Sequence, residues 1–80
     1  MAERFYVDCT GLLCPMPILR IRLKLNELST GDELLARCTD PAFERDLERF
    51  CVLSSVTCIG LTKTEYYTDY LFKVSEISHL

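Results

Sequence analysis

From residue 4 to residue 8 polar and apolar side chains alternate, with Phe5 and Val7 on one side, which is the pattern of a short half-buried strand. Cys9-Thr10-Gly11 then breaks the alternation. Between Ile18 and Leu28 two periodicities compete. Leu19, Ile21, Leu23 and Leu25 alternate with Arg20, Arg22 and Lys24, as they would in a strand. Yet Ile18, Ile21, Leu25 and Leu28 fall at i, i+3, i+7 and i+10, a single helical stripe. The segment is long for a strand, and Pro15 suits the first helical position, so a helix is expected. It should stop near Ser29-Thr30-Gly31, where Gly31 suits a left-handed turn. In that register Met16, Leu19 and Leu23 form a second apolar stripe, roughly opposite the core stripe. A tail or loop could cover it, or a partner protein could dock there.

Glu33 to Thr39 reads as a second strand, with Leu34, Ala36 and Cys38 pointing one way. Asp40-Pro41 starts a second helix, since Asp40 can cap its first turn and Pro41 fits its first position. Phe43, Leu47, Phe50 and Cys51 follow at helical spacing, which assigns Cys51 to the buried face. From Ser55 the chain is strand-like again, with Gly60 a candidate bulge. A turn around residues 62–66 leads to a last strand, residues 67–75, in which Tyr70, Phe72 and Val74 share a face. The expected fold is an α/β two-layer sandwich of order β-α-β-α-β-β, a four-stranded mixed sheet with two helices on one face.

Eighty residues suffice for a single domain, residues 1–80, and a core this small leaves little room for a deep catalytic cleft. A formal net charge of −3 argues against nucleic acid as a direct partner, because phosphate binding calls for a basic stripe. No apolar run is long enough to cross a bilayer, and the N-terminus lacks a secretory pattern, so a cytoplasmic protein is expected. The five cysteines, at positions 9, 14, 38, 51 and 58, form no Cys-x-x-Cys pair, and a disulfide framework or a zinc site is not expected. The single histidine, His79, stands next to the C-terminus, which leaves no Cys-His pairing for a hydrolase. No metal and no cofactor are expected.

Cys14 differs from the other cysteines in its setting. If Pro15 is the first helical residue, Cys14 is the N-cap, facing the positive end of the helix and the free N–H of Met16. That placement favours an anionic, nucleophilic sulfur. Pro15 and Pro17 stiffen the platform, with no neighbouring acid or base. Residue chemistry alone leaves two readings open: a reactive, exposed sulfur, or a plain capping or core cysteine.

The segment Asp8-Cys9-Thr10-Gly11-Leu12-Leu13-Cys14-Pro15-Met16-Pro17 resembles the signature of the TusA (SirA-like) sulfur-carrier family, Asp-x-x-Gly-Leu-x-Cys-Pro-x-Pro. The likeness continues through Gly31-Asp32-Glu33-Leu34, Asp40-Pro41 and Tyr70-Leu71-Phe72-Lys73. The resemblance implies a persulfide on Cys14, supported by Gly11, Pro15 and Pro17, on a carrier rather than a complete enzyme. Sulfur would come from a cysteine desulfurase or rhodanese-like donor. It would pass to a sulfur-relay acceptor, for 2-thiouridine formation in tRNA or another sulfur-trafficking route. Met16, Leu19, Leu23 and Asp40 are the candidates for partner contact, and such a carrier can work as a monomer. Cys9 could be a packed residue or a resolving thiol for Cys14. The alternative function is an RNA-binding or regulatory module without sulfur transfer.

Overall fold

The structure, a computed structural model, describes residues 3–75. Its elements are β1 (Arg4–Cys9), α1 (Met16–Leu25), β2 (Glu33–Cys38), α2 (Pro41–Arg45), α3 (Leu47–Ser54), β3 (Val56–Lys63) and β4 (Thr68–Val74). The four strands form one sheet in the order β1-β2-β4-β3. β1 and β2 are parallel, joined by the α1 crossover, while β4 runs antiparallel to both β2 and β3. This is the mixed sheet the sequence implies, with its helices on one face.

The helical stripe prevails over the alternation in α1. Ile21 is fully buried, and Ile18, Leu25 and Leu28 pack partly buried around the core. The helix ends at Leu25 rather than near Ser29-Thr30-Gly31. The N–H of Glu27 donates to the Lys24 carbonyl and that of Leu28 to the Leu25 carbonyl, so the last residues tighten into i→i−3 turns. Gly31, at φ 95°, then makes the left-handed turn into β2. The Asp32 carboxylate fastens this turn, accepting the N–H groups of Ser29 at 2.9 Å and Glu3 at 3.0 Å. These bonds, that from Ser29 foremost, hold its carboxyl below the usual carboxylate range.

The second predicted helix is divided into α2 and α3 at Asp46, whose φ of −100° and ψ of 11° leave the helical region. Its N–H is shared between the carbonyls of Ala42 and Phe43, while its own carbonyl accepts from Phe50 to start α3. Aspartate is a poor helix-interior residue, which places the break there at small cost. The break leaves the buried face intact. Phe43 and Phe50 meet with ring centroids 5.3 Å apart, and Phe43 stands edge-on to Tyr70 at 4.9 Å. Tyr70 and Phe72 from β4, with Leu34, Ala36 and Cys38 from β2, form the floor beneath them. Cys51 packs against this core, as the periodicity indicates.

In β3 the bulge falls as Gly60 suggests. Cys58 pairs with Phe72 and Gly60 with Leu71, leaving Ile59 as the extra residue. Tyr67 lies in the turn before β4, not in the strand, and its carbonyl accepts the N–H of Thr64. Among the described residues no helix is long and apolar enough to cross a membrane.

Candidate functional site

The loop between β1 and α1 carries the Cys-Pro-x-Pro segment, and four backbone bonds set its path. The N–H of Leu12 donates to the Cys9 carbonyl at 3.2 Å, and that of Gly11 to the Thr39 hydroxyl at 2.8 Å. The Cys14 N–H donates to Asp40 Oδ2 at 2.7 Å, and the Met16 N–H to the Leu13 carbonyl at 2.8 Å. Gly11 adopts φ 80°, the left-handed region that favours glycine. At the root of the loop Asp8 Oδ1 accepts both the N–H and the hydroxyl of Thr10, which lowers its pKa.

Cys14 does not occupy the helix N-cap. Pro15 does, because its carbonyl accepts the N–H of Leu19 at 3.2 Å and α1 opens at Met16. The Met16 N–H expected to face the sulfur is instead bound to Leu13. Cys14 therefore stands one residue outside the cap, across a cis peptide bond to Pro15. Pro17, at the second helical position, gives up no needed donor and buries its ring against the core.

Of the five cysteines Cys14 is the exposed one; Cys9 and Cys38 are buried, and Cys51 and Cys58 are half-buried. Asp40 serves the site from beneath. Its Oδ2 holds Cys14, while its Oδ1 accepts the Ala42 N–H at 3.1 Å and so caps α2. The carboxylate is mostly buried, and one side chain thus ties the loop to the helix. The shallow crevice between Cys14 and α2 is lined by Pro17, Asp40, Phe43 and Asp46. Cys14 is thus not remote from acidic groups, as its sequence setting suggests: the carboxylates of Asp40 and Asp46 share that crevice, although both oxygens of Asp40 already accept backbone donors. Among the described residues no cluster of three metal-ligating side chains exists.

Met16, Leu19 and Leu23 are exposed on the outer side of α1, 46%, 50% and 68% accessible. Leu13, not singled out from the sequence, joins them at 68% beside Cys14. Its position next to the motif cysteine was the available signal. Thr39 and Asp46 gave none, since their approach to the loop depends on tertiary packing. Cys9 does not face Cys14. It is fully buried, its thiol directed at the Pro17 carbonyl at 4.0 Å, and it pairs in register with Cys38 across β1 and β2. Hydrogen bonding to Cys9 and burial push the Cys38 thiol pKa up.

Fold and site together define a two-layer α/β domain that presents an exposed thiol on a braced loop, beside an apolar helix face. The chain belongs to the TusA family: the family model described as sulfurtransferase TusA matches residues 5–75. A solved SirA-like protein from Desulfitobacterium hafniense has the same fold, with a TM-score of 0.74 at 18% identity, covering 90% of this chain and 99% of that one. Family membership assigns the chain a role in sulfur transfer together with other proteins.

Proposed function

We propose that Cys14 is the sulfur-bearing residue and that it carries sulfur as a persulfide between partner proteins. The observation supporting this reading is that Cys14 is the exposed cysteine and lies on the loop that Asp40 braces. In loading, the Cys14 thiolate attacks the outer sulfur of a donor enzyme's cysteine persulfide. A bond forms between Sγ and that sulfur, the donor's S–S bond breaks, and the electron pair leaves on the donor thiolate. In unloading, an acceptor thiolate attacks the outer sulfur on Cys14, and Cys14 departs as thiolate. Neither step changes the overall oxidation state, so no electron carrier is needed.

Such transfer requires two proteins to bring their sulfurs within bonding distance. The stripe of Leu13, Met16, Leu19 and Leu23 offers an apolar platform beside Cys14 for both donor and acceptor. The donor class is a cysteine desulfurase or rhodanese-like protein, and the acceptor a sulfur-relay protein. The destination proposed is 2-thiouridine formation in tRNA, with another sulfur-trafficking route as the second reading. Acidic net charge disfavours direct RNA binding by this chain.

Incubation with a cysteine desulfurase, cysteine and pyridoxal phosphate, followed by intact-mass measurement, tests the assignment. Wild type should gain reducible sulfur and Cys14→Ser should gain none. Equal uptake by both would place the sulfur elsewhere.

A further inference from the structure

The sheet face turned away from the helices carries three rows of side chains, fixed by the strand register. Arg4, Glu33 and Lys73 form one outer row across β1, β2 and β4, with Thr57 of β3 at its end. Tyr6, Leu35 and Leu71 form the middle row, which ends at Gly60. Asp8, Arg37 and Asp69 form the other outer row, ending at Thr62. The charges therefore read plus, minus, plus on one side of an apolar row and minus, plus, minus on the other.

This inversion has a geometric consequence. A two-fold axis lying along the middle row brings each outer row of one copy over the opposite outer row of the other. Arg4 then faces Asp8, Glu33 faces Arg37 and Lys73 faces Asp69, each across the two copies and each twice. Tyr6, Leu35 and Leu71 meet their own counterparts on the axis. Such a contact is isologous, as closed dimers require, and face-to-face sheets align to within about 30°. Twist displaces the outer strands most, so the β2 and β4 columns keep this alignment best.

Two in-chain ion pairs already fix the pattern. Arg4 binds Glu33 at 2.9 Å, and Arg37 binds Asp69 through two bonds of 2.9 and 3.0 Å. Arg37 also stacks over the Tyr67 ring at 3.7 Å from its centroid. Tyr6 is half-exposed in the middle of this field.

We infer that this helix-free sheet face is a self-association surface, whose occupant is a second copy of the chain related by a two-fold axis along Tyr6, Leu35 and Leu71. The face offers only three apolar side chains per copy between its charged rows, so a weak dimer is expected, with a dissociation constant on the order of 100 μM. The Met16, Leu19 and Leu23 stripe lies in the helical layer and stays open in the dimer. Two copies thus offer two loading sites.

Sedimentation velocity of the reduced full chain, from about 10 μM to about 1 mM, tests the inference with charge exchanges. Arg37→Asp with Asp69→Arg keeps the in-chain pair but sets like charges against Glu33 and Lys73 of the other copy. Glu33→Lys with Lys73→Glu sets like charges against Arg37 and Asp69 of the other copy from the opposite row, and gives up the exposed in-chain Arg4–Glu33 pair. Wild type should dimerise, and each exchanged protein alone should associate at least tenfold more weakly. An equimolar mixture of the two should regain association, because each then meets complementary rows. Tyr6→Glu, which places two like charges on the axis, should also weaken dimerisation at least tenfold and stands in if an exchanged protein fails to fold. A wild type monomeric throughout the range, exchanged proteins that dimerise like wild type, or a mixture of folded exchanged proteins that stays monomeric would each overturn it.

Discussion

The carboxylate of Asp40 accepts the backbone N–H of Cys14 at 2.7 Å while its other oxygen caps α2 at Ala42. One side chain thus couples the position of the reactive loop to the start of a helix 26 residues further on. Asp40→Ala should lose about 1–2 kcal/mol of stability in urea unfolding, through the lost cap and an unpaired Cys14 N–H. It should also slow sulfur uptake while leaving the thiol alkylatable. Asp40→Asn, which keeps one acceptor oxygen, should fall between the two. Uptake at the wild-type rate by the folded Ala protein would remove the bracing role.

Gly11 turns the loop at φ 80°, and a Cβ built there meets nothing within 4 Å. The cost of a side chain is therefore conformational and not steric. Gly11→Ala should destabilise by about 1 kcal/mol and Gly11→Asn by less, because asparagine tolerates this region better. Denaturant midpoints of the two proteins check the order.

Thiol labelling of the native protein should follow exposure. Cys14 should react first with iodoacetamide, Cys51 and Cys58 more slowly, and the buried Cys9 and Cys38 only on unfolding, as read by peptide mass spectrometry. Mild oxidation should yield no Cys9–Cys14 disulfide, because the Cys9 thiol is directed inward to Pro17 and paired with Cys38.

Met16, Leu19 and Leu23 separate docking from stability. Changing each to Ser should alter unfolding free energy by only about 0.5 kcal/mol, the usual scale at exposed sites. Transfer from a donor persulfide should nevertheless slow. Ile21→Ala, on the buried side of the same helix, should cost about 2–5 kcal/mol. If the exposed substitutions left transfer rates unchanged, the stripe would have no part in docking.

Asp32 gives the fold an acid-sensitive joint. Its carboxyl lies below its ordinary value of 3.8 in the folded chain because the Ser29 and Glu3 N–H groups bind the charged form. The unfolded chain therefore takes up this proton first as pH falls. The stabilisation is present in full above the ordinary carboxylate value and is lost as pH falls through the lower, folded one. Asp32→Asn should be less stable at neutral pH and should lose less stability than wild type on acidification, measured by urea unfolding.

The elements were legible where pattern and punctuation agreed. Phe5 and Val7, Leu34 through Cys38, and Tyr70 with Phe72 announced their strands by alternation, and Asp40-Pro41 announced its helix by capping chemistry. The division at Asp46 was hidden, because Phe43 and Phe50 bury the same side across it and leave the periodicity unbroken. At the site, the motif singled out Cys14, yet the helix start was displaced by one residue. A proline can serve as N-cap or first helical residue, and only the bond from Leu19 to Pro15 decides which. Asp40 was legible as a cap, but its hold on Cys14 was not, because that contact exists only once the fold brings the β1–α1 loop to the start of α2. The Cys9–Cys38 pairing was equally hidden, since it follows from strand register.

Cys14 is the proposed bearer of the carried sulfur. Loading from a desulfurase, followed by proteolysis and mass spectrometry under non-reducing conditions, tests it most directly. One extra sulfur is expected on the peptide containing Cys14, removed by dithiothreitol and absent in Cys14→Ser. Reducible sulfur on a peptide containing Cys51 or Cys58, with that of Cys14 unmodified, would contradict it.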